Sequence, residues 1–468
     1  MKDLKSVMHY FEEISSIPRG SGNTDRICDY CVNFAKEHDL KYYRDEHNNC
    51  IIEKSSGSGE SVILQGHIDM VCEKTEDCTV DMENEGLNLK NDGEYIWADK
   101  TTLGGDDGIA VAMILAILAS DDLTLPPIYA VLTSDEEIGM LGAQAIDMSG
   151  VRAKRLINID SEEEGVFTVG CAGGCTAVCG IPVDRHLAEG DVYTIKIGGL
   201  TGGHSGTEIN RGRLNAINLL GRVLKDADAE ISRIEGGGKD NAIAVSAFAE
   251  VIGGDNILSL GEKFEKIFSA EAPYEDKNVY VKTEKVGRNT LSVLDKLSSE
   301  RAVNMLISLP NGVQTMSTEI DGLVRTSLNM GILKTESDNV SVSFCVRSML
   351  GSEKKMLLDK IDAVAGAFGG DVKISGDYPA WEYSGDSRLC RIMTDVFKKQ
   401  YKKEPKIEAI HAGLECGLFC GKIENLECVS IGPDISDIHT PKEKLDIKST
   451  ERVWNFLLDV LEQMHGEI

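Results

Sequence analysis

At 468 residues the chain has room for roughly three domain-sized units, or for two if one of them is large. Apolar residues at 42% and charged residues at 27%, with 10 prolines and no low-complexity tract, exclude collagenous, disordered and mini-protein classes and leave a globular chain able to build its own core. Seventy-seven acids against 49 bases give a net charge of −28, a field that repels phosphate backbones and anionic membranes, so neither nucleic acid nor a membrane is an expected partner.

The opening residues, MKDLKSVMHYFEEI, carry charges throughout and lack the apolar stretch of a secretory signal. The apolar helical run 108 to 120 falls short of the roughly 20 residues a spanning helix needs. Thirteen scattered cysteines, an odd number, fit reduced thiols better than a disulfide framework, and the expected compartment is the cytoplasm. Cys28 and Cys31 form a CxxC pair, but Ile27, Cys31 and Phe34 share one helical face, so core packing is the expected role. Cys171, Cys175 and Cys179 lie in a segment with strand and turn composition, a poor setting for zinc.

In chain order, helices are predicted near 2 to 15 and 24 to 38, followed by an apolar strand, SVILQG, at 61 to 66. A long helix at 108 to 119 precedes apolar strands at 127 to 133 and 155 to 160; runs this apolar suit strands covered on both faces. From about 183 the texture changes to amphipathic strands such as DVYTIKIGG, with helices at 213 to 227 and 352 to 368 and strands at 339 to 346 and 371 to 376. After about 385 the buried texture returns with a helix through RIMTDVFKKQY, a strand at 427 to 432 and a final helix from about 449. The expected architecture is one discontinuous α/β domain, 1–183 plus 385–468, with an α+β domain, 184–384, inserted into it.

Ligands of open α/β sheets collect beyond the carboxyl ends of the strands, and there the sequence is uniform. SVILQG runs into His67 and Asp69; PIYAVLT into Asp135, Glu136 and Glu137; RLINI ends at Asp160; ECVSIG leads to His439; and Asp106 opens the long apolar helix after Gly104-Gly105. Imidazoles and carboxylates suit zinc, manganese or cobalt, and so many carboxylates at one rim call for two cations between them. Each feature alone has a plain structural reading: a loop histidine, a solvated Glu-Glu pair, acids favouring a helix N-terminus. It is the coincidence of five at strand and helix ends that points to a metal centre.

GHIDMV, GGDDG, TSDEEIG, NIDSEEEG and the late His439 resemble the motifs of the co-catalytic metallopeptidases that include carboxypeptidase G and peptidase T. SIPRGSGN, GGHSGTEI, SLPNGV, TSLNMG and HAGLECG are similar to segments of that family's dipeptidases, a likeness spread over nearly the whole chain. The resemblance implies a three-layer, zinc-peptidase-like catalytic domain with an inserted lid. It further implies hydrolysis of dipeptides, Xaa-His among them, with two Zn2+ per subunit (Co2+ or Mn2+ as substitutes) and a homodimer. In this scheme Asp106 bridges the metals, His67 and Asp160 complete one site, and Glu137 and His439 the other. Glu136 is the general base acting on the water between the metals, and Asp69 orients His67.

From the lid, the resemblance assigns His204 to the oxyanion and Asn241 and Arg347 to substrate binding, Arg347 gripping a terminal carboxylate. His411 and Glu415 are expected to line the substrate pocket. Asp107 stands where relatives often carry asparagine, leaving open an altered metal preference or a solvent-facing acid; Asp107 or Glu415 is a candidate partner for the substrate's free ammonium. A tripeptidase or an amide deacylase on the same scaffold remains the alternative, since either keeps the metal residues and changes the lid pocket.

Overall fold

The computed structural model describes residues 4–465 apart from 384 and 386. The chain divides into two compact units, one of Met1–Gly170, Tyr383–Ala409 and Leu414–Ile468, the other of Cys171–Glu382 and Ile410–Gly413.

The first unit is built on an eight-stranded sheet in the order Lys41–Arg44, Cys50–Lys54, Ile128–Thr133, Val62–His67, Arg155–Asn158, Glu427–Ser430, Val166–Cys171, Lys406–Ile410. Four neighbouring strands are parallel: Val62–His67 pairs in this sense with Ile128–Thr133 and Arg155–Asn158, and the last with Glu427–Ser430. Their carboxyl ends therefore open on one rim, and the flanking strands run antiparallel. Val62–His67 is buried at every position, as expected of a strand covered on both faces. The helix Gly105–Ala119 is apolar all round and buried along its length, with non-helical backbone at Asp106 and Asp107 where the chain turns into it. Phe11, Ile14, Leu64, Ile114, Leu132 and Leu457 share the core with Cys28 and Cys31, which pack from the helix Asp25–Glu37. A small sheet of Ile435–Ser436, Lys444–Asp446, Tyr95–Ala98 and Leu89–Asn91 completes the unit.

The second unit is a nine-stranded antiparallel sheet with helices Ala216–Lys225, Asn256–Glu271, Lys296–Ser308 and Gly351–Ala367 contributing to a single apolar core. In the strand Arg185–Gly198, Tyr193, Ile195 and Ile197 enter the core while Lys196 stays exposed, the alternation of a half-covered sheet. The strand Gly173–Pro182 lies between Asn339–Ser348 and Asp371–Tyr378 in this sheet. The first boundary therefore falls at 170/171 rather than at the expected 183, and residues 410–413 return to the second unit. Among the described residues no helix is long and apolar enough to cross a membrane.

Candidate active site

His67 closes the strand Val62–His67, and the two residues after it fix its ring. Nδ1 lies 3.2 Å from the Asp69 carbonyl oxygen and 3.3 Å from Asp69 Oδ1, which leaves Nε2 to face outward from the sheet rim. The Asp69 carboxylate also accepts the Ser21 hydroxyl at 2.7 Å and the backbone N–H groups of Glu136 at 3.0 Å and Glu137 at 3.3 Å. One buried acid thus orients the histidine and the turn that carries both glutamates. Burial works against ionisation of Asp69, but the bonds from His67, Ser21 and Glu136 hold its pKa below the ordinary value.

Asp106 stands between the two histidines. Its Oδ1 is 3.0 Å from His67 Nε2 and its Oδ2 is 3.1 Å from His439 Nε2. Asp160 Oδ1 lies 3.6 Å from the same His67 nitrogen, and Glu137 Oε1 lies 2.9 Å from His439 Nε2. Two triads result, His67/Asp106/Asp160 and Asp106/Glu137/His439, each with its ligand atoms within 4.8 Å of one another and Asp106 common to both. Glu136 stands beside them, with a carboxylate oxygen inside the same 4.8 Å limit of His67 and Glu137.

The donor set fits metal ions. Bonds of about 2.0 Å around a tetrahedral ion place neighbouring ligand atoms roughly 3.3 Å apart, the spacing seen between these nitrogens and oxygens. Electrostatics point the same way. Burial alone would discharge His67, yet Asp106, Asp160 and Asp69 hold its pKa well above the usual value; hydrogen bonds to Asp106 and Glu137 lift His439 to about 10. Burial raises Asp160 to about 6 against the pull of His67, and burial together with Asp160, Glu415 and Glu137 pushes Glu136 well up. A pocket of acids that cannot all ionise unaided is one that cations complete.

Three residues hold this arrangement from behind. Arg19, from SIPRGSGN, is buried and donates to the carbonyls of Ile68 at 3.1 Å and Asp69 at 2.8 Å and to that of Gly104, clamping the two loops that present His67 and Asp106. Gly104 adopts φ +63, and a Cβ there would also press on the Arg19 guanidinium and Met70, so glycine is required on both counts. Glu443 accepts the N–H groups of Leu103 at 2.8 Å, Gly104 at 3.0 Å and Gly105 at 2.8 Å, fixing the turn that presents Asp106. The arginine lies in a motif already singled out, but no pattern in PKEKLD marks Glu443.

Asp107 does not face solvent: it is buried, and its Oδ2 accepts the backbone N–H of His67 at 3.1 Å. Glu415 is likewise enclosed. Its Oε2 accepts Gln65 Nε2 at 2.5 Å and Thr133 Oγ1 at 2.8 Å, and burial raises its pKa to about 8. Enclosed in this way, the carboxyl braces the two strand ends.

In the second unit, His204 Nδ1 accepts the backbone N–H groups of Gly206 at 3.3 Å and Thr207 at 3.2 Å, so the ring proton resides on Nε2. Burial and the charge of Arg347 lower its pKa, keeping it a neutral donor. Arg347 is largely buried and donates to the Tyr378 hydroxyl at 3.1 Å. His411 Nε2 pairs with Ser327 Oγ at 2.7 Å, and burial, followed by the Arg347 charge, pulls its pKa down to about 3. Asn241 is exposed, and its carbonyl accepts the N–H of Ser205 at 2.9 Å beside the bridge between His204 and Ala242.

The pattern of peptidase family M20/M25/M40 matches residues 63–463. The chain belongs to that family. Cytosol non-specific dipeptidase of Escherichia coli is 34% identical over 97% of this chain and 96% of the relative. The aminoacylhistidine dipeptidase structure from Vibrio alginolyticus superposes with a TM-score of 0.90 at 34% identity, over 98% of this chain and 96% of the other. Aminopeptidase PepT from Bacillus cereus, at 14% identity and a TM-score of 0.58 over 99% of both chains, shares the fold. As an M20 member the chain is a metallopeptidase with an α/β fold.

Proposed function

We propose that this M20 enzyme is a cytoplasmic dinuclear zinc dipeptidase that hydrolyses free dipeptides, Xaa-His among them, and works as a homodimer. The observation that carries the metal reading is the Asp106 carboxylate, which turns one oxygen to each histidine. The dipeptide reading rests on the full-length likeness to two dipeptidases, and the cytoplasmic one on the name of the Escherichia coli relative. His67, Asp106 and Asp160 would hold one ion and Asp106, Glu137 and His439 the other. Bound there, the ions would polarise the scissile carbonyl and make water more acidic.

The chain's own groups do the rest. Glu136, next to the two triads but a member of neither ligand set proposed, takes the proton from the attacking water and returns it to the leaving amine. His204, with its proton on Nε2, donates to the oxygen that gains negative charge, whether it serves its own chain or a second copy. Arg347 receives the carboxylate of the dipeptide, and Asn241 and His411 line the same binding surface.

His204→Ala is expected to lower kcat on a dipeptide on the order of a hundredfold while KM changes little, because such a donor is worth most in the transition state. A change in KM alone would make His204 a binding residue. A substrate panel at equal zinc loading separates the dipeptidase from a tripeptidase or deacylase. Ala-His should be cleaved faster than acetyl-Ala-His and Ala-Ala-His, since stranding one desolvated terminus costs about 1 to 3 kcal/mol, roughly 5- to 150-fold in kcat/KM. Comparable rates on all three would overturn the length selectivity.

A further inference from the structure

Three thiols converge where the helix Glu415–Lys422 meets the strand Glu427–Ser430. Cys416 and Cys420 are four residues apart and share one helix face. The Cys428 sulfur is 3.6 Å from that of Cys420, and Cys416 is a second neighbouring thiol. Cys416 and Cys428 are buried, whereas Cys420 is partly exposed, and all three are free thiols. None of them takes part in the proposed peptide hydrolysis.

We propose that Cys420 and Cys428 form a peroxide-sensitive dithiol, Cys420 reacting first and Cys428 closing a disulfide that ties the helix to the strand. The Cys420 sulfur attacks hydrogen peroxide, the O–O bond breaks, and Cys420 sulfenic acid and one water result, the thiol proton leaving with that water. The Cys428 sulfur then displaces the sulfenic oxygen, which departs with the Cys428 proton as a second water. Two thiols are oxidised by two electrons and one peroxide is reduced to two waters. Closing the 3.6 Å gap to a bond of about 2.05 Å needs a movement of roughly 1.5 Å between the two sulfurs.

Chemistry favours this order. The hydrogen bond from Cys428 lowers the pKa of Cys420 against the effect of burial, while burial and the neighbouring thiols hold Cys428 well above its ordinary value. The thiolate is the form that reacts with peroxide, so reactivity concentrates on the accessible member and the buried one resolves it. Cys72, though exposed, has its pKa raised by burial of its sulfur and points to the carbonyl of Met70. The disulfide would join two elements that serve the site, since the helix begins at Glu415 and the strand leads on to His439.

The test exposes the zinc-loaded, full-length enzyme to a few equivalents of hydrogen peroxide, blocks free thiols with N-ethylmaleimide in denaturant and maps tryptic peptides, Lys422 providing a cleavage point between the two cysteines. The expected result is a Cys420–Cys428 cross-link, a thiol titre reduced by two from thirteen, and full reversal by dithiothreitol. In Cys428→Ser the reaction should stop at a Cys420 sulfenic acid that dimedone traps. Should that variant not fold, Cys420→Ser at the partly exposed position should abolish the cross-link and keep its titre constant. Recovery of Cys420 and Cys428 both alkylated after peroxide, or a cross-link through Cys416 instead, would overturn the proposal.

Discussion

Glu136→Gln is expected to lower kcat by about 10²- to 10⁴-fold, the usual contribution of a general acid–base group, while metal content stays at that of the parent enzyme. The amide matches the carboxyl in size, so the packing of the 135–137 turn is kept, and the Glu136 backbone N–H that donates to Asp69 Oδ1 at 3.0 Å is unaffected. Each proposed metal triad can form without Glu136, through His67, Asp106 and Asp160 or through Asp106, Glu137 and His439. The change therefore removes the proposed proton acceptor and leaves the proposed ligands in place. Steady-state kinetics and metal analysis on the same preparation check it, with KM expected within a fewfold of the parent because the base acts on water rather than on the dipeptide. A fully active variant would sink the role given to Glu136, and loss of metal together with activity would move it among the ligands.

The rim of the sheet was legible because its chemistry is local. Each of His67, Glu137 and Asp160 lies at or just beyond the end of a buried, largely apolar strand, and four parallel strands deliver their ends to one edge. The groups that hold that rim were not, because their roles arise only across the fold: Arg19 reaches Ile68 and Gly104, and Glu443 reaches back to residues 103–105. Asp107 illustrates the same limit. Nothing in GGDDG distinguishes an acid facing solvent from one buried against the His67 N–H.

Among the strands, Tyr280–Leu294 reads in sequence as a charged, polar segment and is exposed over most of its length, yet it pairs with Arg185–Gly198 from end to end apart from one bulge. A strand secured by its partner's backbone rather than by its own apolar face carries little sequence signal. The boundary at 183 was displaced for a related reason. Gly173–Pro182 is as apolar as the strands of the first unit, and only its pairing partners show to which sheet it belongs.

Asp106→Ala should fail differently from Glu136→Gln, losing metal and activity together. The Asp106 carboxylate is the one group common to both triads, its Oδ1 3.0 Å from His67 Nε2 and its Oδ2 3.1 Å from His439 Nε2. Hydrogen bonds to the two histidines outweigh burial and hold its pKa well below the usual carboxylate range, so it stays ionised between His67 and His439. Removing it would take a proposed ligand from each of the two proposed ions at once and leave Asp160 with His67, and Glu137 with His439, as two-residue remnants of those triads. His439 is the weaker anchor, on an exposed loop and with 43% of its side chain accessible, so the site it shares with Glu137 should empty first. Metal analysis after gel filtration is expected to give less than one ion per chain, with kcat at or below the level of Glu136→Gln. Asp106→Asn, which keeps the shape and halves the donor capacity, should fall between parent and alanine in metal retention. An Asp106→Ala protein that kept its parent's metal content would show that the two triads do not share this carboxylate, and the dinuclear reading would fall with it.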